Sequence, residues 1–144
     1  EVKDLGDLDV INLRVFGEFV YILTTDPTTQ KVIYRLPILD TAGNLGDLEV
    51  VYDWSANNTE STALCFTLTS TGDLFVGSDS ESNPLVLIQN GIEIGFYSSV
   101  LVPPISYMAW GNNEFLYLIN RIEETNRVLK VDTRMEGAEY YGRP

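Results

Sequence analysis

The chain contains no histidine. That removes imidazole as a general base, as the middle member of a Ser-His-Asp triad and as a metal ligand. Cysteine is reduced to Cys65 alone, inside "ALCFTLT", so no internal disulfide and no cysteine-rich zinc site can form. A lone cysteine in an apolar strand reads first as a small core residue. Lysine occurs only as Lys3, Lys31 and Lys130, and 9 basic residues stand against 21 acidic ones, for a net charge of -12. Such a chain repels phosphate backbones, which argues against nucleic-acid binding. Long apolar runs are missing too. Stretches such as "FVYIL" and "PLVLI" fall far below the roughly 18 residues of a membrane helix, so no membrane insertion of that kind is expected. The opening "EVKDLGDLDV" is acidic where a signal peptide is basic. A start on Glu1 leads us to expect a processed chain or part of a longer one.

What is present is a repeat. "GDLFVGSD" at residues 72–79 has a close relative, "GEFVYILT", at 17–24, and a looser one, "NEFLYLIN", at 113–120. Each phrase is a turn followed by a strand. A second strand follows in each case: "KVIYRL" with Val32 lies 13 residues after Phe19, "PLVLI" with Leu85 lies 11 after Leu74, and "RVLKVD" with Val128 lies 13 after Phe115. A third comes around Tyr52, Tyr97 and Tyr140, and a fourth precedes each phrase in "VINLRVF", "ALCFTLTS" and "ISYMAWG". The first unit is longer by the turn-rich "LDTAGNLGD", where insertion is cheap.

The pattern predicts an all-β chain of twelve strands in three four-stranded antiparallel units, about 8–60, 61–100 and 101–144. Helix content is expected to be very low, since no segment sustains a 3.6-residue apolar period. Repeat anchors 55 and 41 residues apart bracket the length of a four-stranded propeller blade. Strands such as "FLYLI" are apolar on both faces, which suits blades stacked between blades better than a sheet with one wet face.

On these residues, "TSTGDLFVGSD" resembles the strand–turn–strand phrase of β-propellers of the NHL and gluconolactonase-like kind. The segment from "ISYMAWGNNEFLYLIN" to the end resembles the final blade of secreted bacterial six-bladed propellers. The resemblance implies half of a six-bladed ring and an exported protein, secreted, periplasmic or at the cell surface. Few lysines and many Ser, Thr, Asn and Asp residues lean the same way. Three blades do not close a ring, so the missing blades are expected from a second copy, as a homodimer, or from another chain. In gluconolactonase-like propellers Glu, Asn and Asp on inner strands hold an axial divalent metal. Here Asn12 and Asn120 lie in or near strands, without a matching Glu or Asp motif.

Candidate sites are few. Asp40, Asn44 and Asp47 offer oxygen ligands of the kind calcium prefers, in a loop whose composition equally suits a β-turn. Asp79, Glu81 and Asn83 form a similar loop. The carboxylate clusters Glu123-Glu124 and Asp79/Glu81 could in principle serve acid–base chemistry, but they lie in loops with no apolar pocket in sight. Trp54, Trp110, Tyr140 and Tyr141 end strands near turns, where an aromatic stacks on a sugar, anchors a protein partner or wedges blades together. "NNT" at 57–59 is a glycosylation sequon, meaningful only in a eukaryotic secretory route. The leading expectation is a non-catalytic binding or scaffold module. A metal-dependent lactonase or hydrolase completed by other blades is the alternative.

Overall fold

The computed structural model describes residues 3–26, 28, 30–112, 114–122 and 125–139. The chain divides into two compact units, Glu1–Thr59 and Glu60–Pro144. Among the described residues it is all-β, with three antiparallel sheets of four, four and three strands and one short helix.

In the first unit β1 (Asp9–Phe16), β2 (Phe19–Thr25), β3 (Lys31–Pro37) and β4 (Glu49–Asp53) form a meander in chain order. The turn of the repeated phrase needs its glycine, because Gly17 sits at φ 57° and its counterpart Gly72 at φ 89°. Only Gly17 and Glu18 separate β1 from β2, so local chain geometry sets that register, with Phe16 opposite Phe19. A single turn of helix, α1 (Trp54–Asn57), follows β4, and the Asp53 side chain caps it by accepting the Ala56 amide at 2.9 Å.

The second unit holds two sheets. One is the meander β5 (Ala63–Leu68), β6 (Leu74–Ser78), β7 (Leu85–Gln89) and β8 (Ile92–Gly95). The other has the order β11-β10-β9, from β9 (Ile105–Trp110), β10 (Phe115–Ile122) and β11 (Thr125–Asp132). Their facing sides share one core in which Cys65, Phe75, Leu85 and Leu87 meet Ile105, Met108, Trp110, Leu116, Leu118 and Val131. Phe75 lies edge-on to Trp110, with ring centroids 5.8 Å apart. Close approach is made possible by Gly77, where a Cβ would come within 2.8 Å of Cys65 Sγ and of the Ile105 carbonyl oxygen.

Two expected strands differ from those observed. The strand expected around Tyr97 ends earlier, at Gly95, and Tyr97 sits in a turn at φ 55°. The cause is Asn90-Gly91, both at positive φ, which forms a two-residue hairpin turn and starts β8 at once at Ile92. The strand expected around Tyr140 lies largely outside the described residues. Just before it, Gly137 bridges to Thr69 beside β5, and the Ala138 amide donates to the Leu68 carbonyl at 3.0 Å. Among the described residues β11 therefore has no strand on its outer side.

The two-sided apolar pattern also has a different outcome in the two sheets of this unit. β6 and most of β7 are buried on both faces. In the β9–β11 sheet one face is core, while Tyr107, Tyr117, Ile119 and Val128 on the other are exposed.

Candidate binding site

Among the described residues no strand pairs with the outer edge of β11, and that edge is built by simple alternation. In an antiparallel ladder every second residue turns its N–H and C=O towards the partner, and the others turn away. The Thr133 amide donates to the Glu114 carbonyl at 3.0 Å, in register with the Phe115–Asp132 pairing. Odd-numbered residues of β11 thus bond to β10, and the amides and carbonyls of Val128, Lys130 and Asp132 point away from it. One of these outward groups is capped: the Tyr97 hydroxyl donates to the Asp132 carbonyl at 2.8 Å. Those of Val128 and Lys130 carry no hydrogen-bond partner among the described residues.

Against this edge lies a cleft of about 530 Å³, with Val100, Leu101 and Val102 on one wall and Leu129 and Val131 on the other. The wall formed by residues 97–102 is tied down at both ends. Tyr97 reaches Asp132, and the buried Asn120 side-chain amide donates to the carbonyls of Val102 and, at 3.1 Å, Pro104. The cleft is preformed and apolar inside, with Val100 and Val102 exposed. Arg127 stands at its rim. On the other side of the strand the Lys130 ammonium lies 3.6 Å above the centre of the Phe115 ring, a cation–π contact that holds the charge in place. Residues 125–134 carry Arg127, Lys130 and Arg134 against one carboxylate, Asp132, in a chain whose net charge is -12.

The residues singled out from sequence fall elsewhere. Trp54 and Trp110 are buried, and the Trp110 indole N–H donates to the Leu68 carbonyl at 2.7 Å. Neither ring has a face open for stacking on a sugar or a partner, so both act as packing groups here. Tyr140 and Tyr141 lie outside the described residues, as do Glu123 and Glu124.

Asp40 closes its own turn. Its carboxylate accepts the amides of Ala42 and Asn44 at 3.0 and 3.1 Å and the Asn44 side-chain amide at 2.7 Å. The Asn44 bonds, together with the loop amides, hold the Asp40 carboxyl below its ordinary value. Asp47 instead pairs with Lys3 at 3.2 Å. Asp40 and Asn44 thus bond to each other and Asp47 to Lys3, and no group of three or more Cys, Asp or Glu side chains among the described residues is arranged to hold a metal. Asp79 and Asn83 instead make contacts distant in the chain, accepting from the Thr62 amide and the Ser98 hydroxyl. Asn120 holds the 102–104 backbone, and Asn12 lies on β1 of the first unit.

Sequence reasoning missed the cleft. Two signals could have found it: the Asn90-Gly91 turn, which shortens β8 and frees residues 96–102, and the apolar "SSVLV" left over once that strand ends. Comparison of the chain with protein-family models, with curated proteins and with solved structures gives no match.

Proposed function

We propose that this chain is a non-catalytic binding or scaffold module of an exported protein, built of propeller-type blades and completed by a second copy or by another chain. The observation that carries this reading is the open outer face of the β9–β11 sheet, where Tyr107, Tyr117, Ile119 and Val128 are exposed. Apolar side chains from three adjacent strands form one surface patch, and such patches mark interaction surfaces. In a propeller the next blade would cover that face. The meander order of each sheet and the face-to-face packing of the two sheets in the second unit support the blade reading.

The test is the mass of the particle in solution, by light scattering, with intact-mass spectrometry of every chain present. A dimer of this 16.1 kDa chain, or a complex with a second polypeptide, is expected. Replacing Tyr117 and Ile119 by Asp should dissociate it. A stable monomer whose outer face stays exposed would overturn the reading.

A further inference from the structure

We propose that the free edge of β11 and the cleft beside it form a peptide-binding site that takes an extended acidic segment of a partner protein as an added strand. The inference rests on the reading of the chain as a binding module and names one site and one partner chemistry for it. Strand addition needs outward N–H and C=O groups on a sheet edge, and pockets for alternate side chains. Val128 and Lys130 supply the first, and the cleft lined by Leu101, Val102 and Leu129 supplies the second. Edge strands of soluble proteins are usually blunted by a covering segment, a proline, a bulge or a charged side chain, lysine above all. β11 pairs with β10 in unbroken register from Thr125 to Asp132 without a proline or a bulge, the segment 97–102 caps it at Asp132, and its lysine, Lys130, lies over the Phe115 ring.

Charge selects the occupant. An added strand alternates its side chains between the cleft and the outer face. On the cleft side it passes Arg127, and on the outer side the fixed cation of Lys130. Neither has a salt-bridge partner among the described residues. Asp132, the one carboxylate of the cleft lining, lies at the far end of the strand and accepts the Arg134 amide at 3.1 Å. A segment with aliphatic residues towards the cleft and carboxylates beside Arg127 and Lys130 fits. A basic one would meet two like charges.

The probe is a labelled, end-blocked octapeptide alternating Val and Glu, titrated with the purified chain by fluorescence anisotropy, with a Val–Lys octapeptide as control. The Val–Glu peptide is expected to bind, more weakly as salt rises, and the Val–Lys peptide not to. Val128→Pro removes an outward N–H without touching the β10 ladder, and should weaken binding about ten-fold, the equivalent of one hydrogen bond. Should that variant lose its native circular dichroism, the surface pair Arg127→Glu/Lys130→Glu decides the matter, since it should exchange the preference between the two peptides. Equal binding of both peptides, binding of neither, or a charge-reversed pair that leaves the preference unchanged would overturn the proposal. So would a homodimer dissociated by Val128→Pro, because a second copy would then occupy the edge. That last result would leave the binding-module reading standing, whereas a stable monomer that still binds the Val–Glu peptide would remove the blade-completion reading and leave this site.

Discussion

The indole nitrogen of Trp110 donates to the carbonyl oxygen of Leu68 at 2.7 Å, joining residues 42 positions apart at the ends of β9 and β5. The same oxygen accepts the Ala138 amide at 3.0 Å, so both of its lone pairs are used. This joint closes one end of the core between the two sheets of the second unit. Trp110→Phe keeps most of the packing and leaves the Ala138 bond in place, so it should cost about 1 kcal/mol. Trp110→Ala also opens a cavity and should cost about 3–5 kcal/mol. Urea unfolding of the two variants checks this, and a neutral Trp110→Phe would show that the bond contributes nothing.

Gly77 marks a close approach of the two sheets. A methyl group there would meet Cys65 Sγ, Ile105 Cγ2 and the Ile105 carbonyl oxygen, each at 2.8 Å. One of these is backbone, which cannot rotate aside. Gly77→Ala should therefore destabilise by about 1–3 kcal/mol as an overpacking change, and adding Cys65→Ala should restore only part of the loss. Thermal unfolding of the single and double variants separates the two contributions.

Two turns are sealed by carboxylates whose acidity is raised. The Asp26 carboxyl is held below its ordinary value chiefly by the Thr28 hydroxyl and then by the Gln30 amide. Asp40 is held low in the same way, chiefly by the Asn44 side chain. Because the folded pKa is depressed, the stabilisation is fully present above the ordinary value of 3.8 and is lost as pH falls through the lower folded value. Asp26→Asn and Asp40→Asn should lower stability at neutral pH and flatten the acid limb of the stability curve. Denaturant titrations between pH 6 and pH 2 read both effects. An unchanged acid limb in the double variant would show that these turns do not couple to folding.

Cys65 is a core residue, 1% exposed, with its thiol directed at the Ile105 carbonyl at 3.4 Å. A buried thiol in apolar surroundings is inert. It should resist an aromatic disulfide reagent in native buffer and react fully in denaturant, at a rate in between that follows opening of the second unit's core. Rapid modification of the native chain would place the thiol at the surface.

Much of the strand plan was legible from residues alone. The phrase in "GEFVYILT" and "GDLFVGSD" marks β2 and β6 because a glycine at positive φ must precede each strand, and the apolar run then has only one extended path to follow. The turn-rich stretch that lengthens the first unit does fall in a loop, closed by Asp40 and by the Ile38–Leu45 bridge. The candidate sites were less legible. Trp54 and Trp110 end strands beside turns, as a ligand-binding aromatic would, and a one-dimensional pattern does not distinguish that position from a core wedge. Asp40, Asn44 and Asp47 have the composition of a cation loop, but the backbone amides of the turn reach the Asp40 oxygens first.

Sequence by itself determined what depends on neighbours a few residues away: the all-β class, the turns, the order of strands within each meander and the burial of Cys65 in an apolar strand. These follow from glycine sterics, turn chemistry and the period of apolar residues, which act locally. Tertiary structure decided which apolar face meets another sheet and which meets water. It also decided that residues 137 and 138, after β11, join the end of β5. Those outcomes rest on contacts such as Trp110 with Leu68 and Gly137 with Thr69, between residues far apart in the chain. The residues at either end of such a contact carry no local sign of their partner, and only the packed fold brings them together.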